Sequence, residues 1–138
     1  MSAAEFLDTN ILVYAYDDGA PQKQRIAREY VQRAAAGEYV ISVQVLAEFS
    51  ATLLHRFKVP MTPDKMIGIL DALSTVRVVH LDEELVRRAV EAHVQYGVHF
   101  YDGMILAAAE RAGCGSILSE DLNAGQEYFG IKVENPFA

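Results

Sequence analysis

The feature that most constrains the fold is a regular alternation of short apolar segments with longer helical ones. The longer segments repeat apolar residues at helical spacing, and most are followed by glycine or proline. Short strands alternating with such helices are typical of a parallel sheet covered on both faces. We therefore predict an α/β fold, a single-domain three-layer sandwich with a central, mostly parallel sheet flanked by helices. The predicted strands are Glu5–Leu7, Tyr39–Ile41, Val76–Leu81, Ser116–Leu118 and Ile131–Val133.

The starts of the predicted helices are marked by capping residues or by proline. Ser42 and Asp82 stand where an N-cap is expected, because their side-chain oxygens can accept a hydrogen bond from a backbone N–H of the first turn. Pro63 suits a first turn, where the missing N–H costs no hydrogen bond, and Pro21 ends a cluster of turn residues at Asp17–Pro21. The predicted helices are Pro21–Ala36, Ser42 to about Phe57, Pro63–Leu73, Asp82–Tyr96 and Tyr101–Ala112.

Length and composition favour one globular domain over residues 1–138. The chain has 138 residues, 51% of them hydrophobic, which suffices for a single core. No segment approaches the ~20 apolar residues of a membrane span. The first ten residues lack the basic flank and long apolar run of a secretory signal. Cys114 is the only cysteine, which excludes an internal disulfide and favours a cytoplasmic protein.

Four acidic residues are predicted to meet at one edge of the sheet. Asp8 and Asp121 each follow a predicted strand, and ligands of parallel sheets gather at the carboxyl ends of the strands. Asp102 opens an alanine-rich helix, and Glu48 lies at the border of an apolar helix stripe. Taken singly, each is also explained as a loop residue, a cap or a solvated charge. Their shared placement is what favours a common site.

Such a cluster calls for a cation. Two like charges ~4 Å apart repel by about 4 kcal/mol at an effective dielectric near 20. Raised pKa values or a bound cation relieve this repulsion, and a ligand set made only of oxygen favours Mg²⁺ or Mn²⁺. A metal ion also reconciles the net charge of −7 with an anionic substrate, since the ion supplies the positive charge. The histidines lack metal-ligand spacing and are read as surface or satisfied core residues: His55, His80, His93 and His99.

The sequence resembles the PIN-domain ribonucleases, and within them the VapC-like toxins of prokaryotic toxin–antitoxin pairs. One matching segment alone would be weak, but five occur in the family's order and span nearly the whole chain. They are Phe6–Tyr14, Gln44–Phe49, Tyr101–Ala109, Leu118–Gln126 and Val133–Phe137.

The resemblance implies a function for the four acids. Asp8, Glu48, Asp102 and Asp121 would be the catalytic and metal-binding residues of an endoribonuclease that uses Mg²⁺ or Mn²⁺. It also implies a homodimer inhibited by a small antitoxin protein. The hypothesis is that the three aspartates hold the ion, directly or through water, while Glu48 orients or deprotonates the attacking water.

Four further polar residues are predicted to support this site. Thr9 and Asn10 match the first motif and would support Asp8, and Ser119 matches a serine or threonine that often precedes the last acid. Asn123 stands where many relatives carry another acid, so we expect one firm metal ion and leave a second open. RNA contacts would come from nearby basic residues, each otherwise an ordinary solvated charge: Lys23, Arg25, Arg28, Arg56 and Lys58.

Two rival functions stay open on the sequence alone. A haloacid-dehalogenase-like phosphatase also has an aspartate after its first strand, but it has a second aspartate two residues later, where Asn10 stands here. A non-catalytic module that binds RNA or protein is the other rival. For protein partners, the segment Met61–Leu73 offers Met66, Ile67, Ile69 and Leu70 either as a docking surface or as part of the domain's own core.

Overall fold

The computed structural model describes residues 4–138, and the elements in it follow the predicted alternation. Residues 1–3, which belong to the N-terminal segment in which no secretory signal is expected, lie outside the described residues. Within residues 4–138, no helix combines the length and the apolar composition needed to cross a membrane. The elements are β1 (Glu5–Leu7), α1 (Thr9–Tyr14), α2 (Pro21–Ala35), β2 (Tyr39–Ser42), α3 (Val43–His55), α4 (Pro63–Ala72), β3 (Arg77–Val79), α5 (Glu83–Tyr96), α6 (Phe100–Arg111), β4 (Ser116–Leu118), β5 (Glu127–Tyr128) and β6 (Ile131–Glu134).

The strands form one mostly parallel sheet, as predicted. The sheet has six strands in the order β3-β2-β1-β4-β6-β5, and every pair is parallel except β5 with β6. All residues of β2, Tyr39–Ser42, are buried. Because successive side chains of a strand point to opposite faces, this burial shows that helices cover both faces of the sheet at β2.

The strand order places a crevice between β1 and β4. From β1 the chain builds outward through β2 and β3 on one side, and then returns to place β4 and β6 on the other. In parallel sheets, ligands bind where the order reverses, outside the carboxyl ends of the strands. Here those ends are Leu7 and Leu118, which pair with each other. The next backbone N–H, that of Asp8, donates to the carbonyl of Leu118 at 3.0 Å and closes the sheet beneath the crevice.

The two predicted side-chain caps are confirmed. Ser42 Oγ accepts from the N–H of Val45 at 3.2 Å at the start of α3. Asp82 Oδ1 accepts from the N–H of Leu85 at 3.0 Å at the start of α5. Gly97 ends α5 with a φ of 71°, in the left-handed region that glycine adopts without strain.

Some short elements differ from the prediction. The residues after Asp8 form a helix, α1, that is not among the predicted helices, because six residues are too few to show a period in the sequence. The two-residue strand β5 is not among the predicted strands, because it is formed by tertiary pairing with β6 and carries no alternation of its own. The strand predicted at Val76–Leu81 spans only Arg77–Val79, and α3 ends at His55 rather than near Phe57.

The apolar surface proposed on Met61–Leu73 belongs largely to the core. Met66 is buried, and Ile69 and Leu70 are partly buried against the core. Ile67 is the exception, with 59% of its surface exposed. The interpretation in which these residues pack their own domain therefore describes α4 better than a continuous docking surface does.

Helices α5 and α6 approach closely at Gly103, immediately after Asp102. A Cβ atom at this position would lie 2.6 Å from the backbone carbonyl oxygen of Ala89. Since that oxygen belongs to a helix backbone, Gly103→Ala must push α5 and α6 apart. We expect it to destabilise the protein by about 1–3 kcal/mol, measured by denaturant unfolding.

Gly68 provides the matched control for this glycine. It lies on an exposed position of α4, and a Cβ atom added there would meet, among residues 4–138, no atom within 4 Å outside its own stretch of helix backbone. Gly68→Ala should therefore stabilise the protein by roughly 0.5–1 kcal/mol, because alanine loses less backbone entropy in a helix. Equal effects of the two substitutions would contradict the close approach at Gly103.

Candidate active site

Asp8 is a buried carboxylate at the mouth of the crevice. It caps α1, with Oδ1 accepting from the N–H of Thr9 at 2.7 Å, while Oδ2 accepts from Ser119 Oγ at 2.7 Å. Burial raises the pKa of Asp8 from 3.8 to about 6, and the two hydrogen bonds offset part of this effect. The value of about 6 also includes repulsion from the carboxylates of Asp121 and Asp102, which raises the pKa of Asp8. Asp8 therefore lies within electrostatic reach of two of the other predicted site residues.

Ser119 joins Asp8 to the loop that carries Asp121. Its side chain is completely buried, and its hydroxyl donates to Asp8 while accepting from the N–H groups of Asp121 at 3.1 Å and Leu122 at 3.2 Å. All the capacity of this hydroxyl is used within the site. Ser119 thus holds the ends of β1 and β4 in a fixed relation.

Asn10 holds the other side of the Asp121 loop. Its Nδ2 donates to Asp121 Oδ2 at 3.1 Å, and its Oδ1 accepts from the N–H of Glu120 at 3.2 Å. The first motif predicts that Asn10 supports Asp8, whereas in the structure its side chain contacts the Asp121 loop. Asn123 is exposed and donates to Gln126 at 3.2 Å, a bond within the loop rather than to one of the four acids.

Asp102 and Glu48 complete the cluster from two helices. Asp102 lies half-buried in the first turn of α6, and burial raises its pKa. His99 lowers that pKa, while Asp121 and Glu48 raise it, which shows that both carboxylates are near. Glu48 is exposed on α3, and its Oε1 accepts from Gln44 Nε2 at 2.5 Å.

The four acids suit a hard cation in their chemistry but do not form a closed cage. In the part of the chain from residue 4 onward, no three His, Cys, Asp or Glu side chains are grouped closely enough to hold one ion. Mg²⁺ commonly uses only one or two protein carboxylates and keeps several waters. The arrangement therefore fits an ion bound partly through water, with room for substrate oxygens, better than one enclosed by protein ligands.

Two residues of this region carry unsatisfied buried atoms. Among residues 4–138, the buried side-chain polar atoms without a hydrogen-bond partner are Thr9 Oγ1 and Gln44 Oε1. Such atoms are costly and rare in folded proteins. Both lie beside the candidate acids, Thr9 next to Asp8 in sequence and Gln44 bonded to Glu48.

An open cavity of about 470 Å³ extends from Glu48 between α3 and the start of α6. Its walls are largely apolar, with the exposed ring of Tyr101 on one side and Arg56 among the lining residues. Arg56 is thus the predicted RNA-contacting residue that shares a cavity with a candidate acid. Lys23 instead pairs with Glu120, at 2.5 Å, and Arg28 donates to the carbonyl of Ala15 at 3.0 Å.

The remaining predicted residues lie on the surface. Arg25 and Lys58 are exposed on α2 and after α3, respectively. All four histidines are exposed as well. Gln44 begins one of the matching segments but is not among the site residues predicted from the sequence, although its position four residues before Glu48 on a helix puts the two side chains side by side.

Comparison with solved structures shows the same fold in several toxin–antitoxin proteins. A toxin–antitoxin complex from Klebsiella pneumoniae is similar with a TM-score of 0.72 and 19% identity, over 96% of this chain and 98% of that one. VapC20 of Mycobacterium tuberculosis, a sarcin-ricin loop cleaving toxin, has a TM-score of 0.67 and 19% identity, over 86% and 90%. DNA-bound VapBC from Salmonella typhimurium has a TM-score of 0.67 and 19% identity, over 97% and 98%.

A family model, in contrast to individual curated sequences, matches most of the chain. No curated protein sequence matches the chain. Residues 6–126 match the PIN domain, a range that includes all four acids. The chain therefore belongs to the PIN domain family, whose members are generally ribonucleases, and has the fold of the VapC toxins.

Proposed function

We propose that this protein is a metal-dependent endoribonuclease that hydrolyses RNA phosphodiester bonds. The observation that supports the proposal is that Ser119 joins Asp8 to the loop of Asp121 at the crevice between β1 and β4, with the Asp102 carboxylate near enough to raise the pKa of Asp8. The membership of the PIN domain family supports the same function.

Each residue of the site is assigned a role from its burial and its hydrogen bonds. Asp8, Asp102 and Asp121 would hold Mg²⁺ or Mn²⁺, directly or through water. Such an ion lowers the pKa of a nearby water and neutralises charge that develops on the phosphate. Ser119 and Asn10 keep the Asp121 loop against β1. Glu48, which is exposed to solvent, would orient or deprotonate the attacking water.

A cleavage assay tests this function. Transfer, ribosomal and messenger RNA are each incubated with the protein in Mg²⁺, in Mn²⁺ and in a chelator. We expect internal cleavage of at least one RNA with either metal and none with the chelator. Cleavage that persists without metal, or turnover confined to small phosphate esters, would refute the proposal; the second result would favour the phosphatase.

Arg56 is proposed to contact the RNA backbone. It lines the same cavity as Glu48, so an RNA phosphate that enters this cavity can contact it. Arg56→Ala should weaken RNA binding several-fold and lower the slope of log affinity against log salt by about 0.7, the value for one contact to single-stranded RNA. Fluorescence titration at several salt concentrations measures both.

Arg77 offers the control for that substitution. It is an exposed arginine at the amino end of β3, which in a parallel sheet is the edge opposite the acids. Arg77→Ala should leave the salt slope unchanged. The same loss of slope at both positions would indicate a diffuse electrostatic contribution instead of a contact at Arg56.

We also propose an antitoxin partner and a homodimer. Support for the antitoxin comes from the similar structures, which include toxin–antitoxin complexes. Support for self-association comes from helix α5, where Val86, Val90 and Val94 are exposed by 43%, 48% and 78% at four-residue spacing. A neighbouring short reading frame for a DNA-binding protein, and the mass of the purified protein in solution, test the two partners.

A further inference from the structure

Gln44 connects two parts of the candidate active site. It is buried on α3, with 6% of its surface exposed. Its Nε2 donates to Glu48 Oε1 at 2.5 Å and to the backbone carbonyl of Tyr101 at 2.9 Å. Tyr101 precedes Asp102 in the first turn of α6. One amide group therefore links the Glu48 carboxylate to the helix end that carries Asp102.

Hydrogen-bonding capacity shows that this amide is a poor choice for stability alone. Both N–H bonds of Gln44 are used, but its Oε1 is buried without a partner. An unsatisfied buried acceptor is destabilising, whereas an apolar side chain of the same shape avoids that cost. A position selected only for packing would favour an apolar residue.

Glu48 is the residue that gains from the amide. Glutamate has three side-chain torsions and, when exposed, samples many rotamers. A neutral donor on Oε1 restricts those rotamers while leaving the carboxylate charged, and Oε2 accepts from no protein group among residues 4–138. Glu48 can then present Oε2 to water or to an ion in one orientation.

We infer that Gln44 is a positioning residue for RNA hydrolysis. Its side-chain amide holds the Glu48 carboxylate in a fixed position relative to the end of α6 that carries Asp102. This inference rests on the proposed function. A positioning role can be distinguished by measurement from a purely structural role. A residue with a purely structural role, here called a brace, contributes to stability, whereas a positioning residue contributes to the rate and to ion binding.

The test compares Gln44→Met with the wild-type protein. Methionine has a similar length and no donor, so thermal unfolding of the metal-free variant should occur at the same temperature as for the wild type or higher. Substitution of residues that orient metal ligands typically lowers metal affinity or activity by about 10–100-fold. We therefore expect kcat to fall by about 10–100-fold with KM for RNA unchanged. We expect Mn²⁺ binding without RNA, measured by calorimetry, to weaken as well.

A control and a second variant complete the design. Ser50→Ala removes a hydrogen bond from Ser50 Oγ to the carbonyl of Leu46 on the same helix, without touching an acid, and should leave kcat unchanged. Gln44→Leu repeats the test with another apolar side chain in case the methionine variant does not fold. NMR couplings of the Glu48 side chain in the metal-free protein should show rotamer averaging in either Gln44 variant.

The outcomes separate the two claims. If the wild type cleaves no RNA with any metal, the proposed function fails. If the wild type cleaves RNA and Gln44→Met keeps its kcat, its Mn²⁺ affinity and an ordered Glu48, the inference about Gln44 is overturned. It is also overturned if activity falls only in parallel with the folded fraction, because Gln44 is then a brace.

Discussion

Replacing Asp8 with asparagine is expected to reduce RNA cleavage on the order of 10³-fold while the protein stays folded. Asp8 is the most buried of the four acids and accepts hydrogen bonds from Thr9 and Ser119. Asparagine keeps the size of the side chain, so packing is preserved. It removes the negative charge through which the crevice would attract a cation. The rate constant for RNA cleavage under single-turnover conditions measures the loss.

The matched control is Asp71→Asn. Asp71 is exposed on α4 and belongs to none of the predicted site residues, so the same loss of one charge should leave cleavage unchanged. Full activity of Asp8→Asn would remove Asp8 from the catalytic residues. Equal losses in both variants would indicate that net charge, rather than the site, governs cleavage.

The fold is largely predictable because its elements carry local signals. Ser42 and Asp82 cap their helices, and Gly97 ends α5 in a left-handed conformation, all of which depend on neighbouring residues in the chain. The strand β5 is not predictable in this way. Its two residues are ordered by pairing with β6 across a turn in which Phe129 and Gly130 have positive φ.

The location of the site at the carboxyl ends of the strands can be predicted from the sequence, whereas the hydrogen bonds within the site cannot. Asp8 and the Asp121 loop are expected at one edge because parallel strands end together. Which donor serves which acid depends on tertiary geometry. The motif assigns Asn10 to Asp8, yet its side chain reaches across the crevice to Asp121. The contact of Gln44 with Tyr101 leaves no signal in the sequence, since it exists only after α3 and α6 have packed.

The stability of the metal-free protein should depend on pH through Asp8. Burial raises the pKa of Asp8 from 3.8 to about 6. Between these values the folded state keeps a proton that the unfolded chain releases, so the contribution of Asp8 to the free energy of unfolding falls as the pH rises. The charged, buried carboxylate is therefore a cost of the site at neutral pH, as is common where binding groups are assembled before their ligand.

The magnitude of this cost can be isolated by comparison with Asp8→Asn, which does not titrate. A shift from 3.8 to about 6 corresponds to about 3 kcal/mol. The free energy of unfolding of Asp8→Asn, relative to the wild type, should thus increase by up to about 3 kcal/mol between pH 4 and pH 7. Groups that do not interact with Asp8 titrate equally in both proteins and cancel. Glu120 is one of them: burial raises its pKa, but Lys23 and Tyr14 together lower it by more. Urea unfolding of both chelator-treated proteins at several pH values measures the difference. A difference that stays constant with pH would show that Asp8 ionises equally in the folded and unfolded chains. The crevice would then not destabilise the charged form of Asp8 in the absence of a cation.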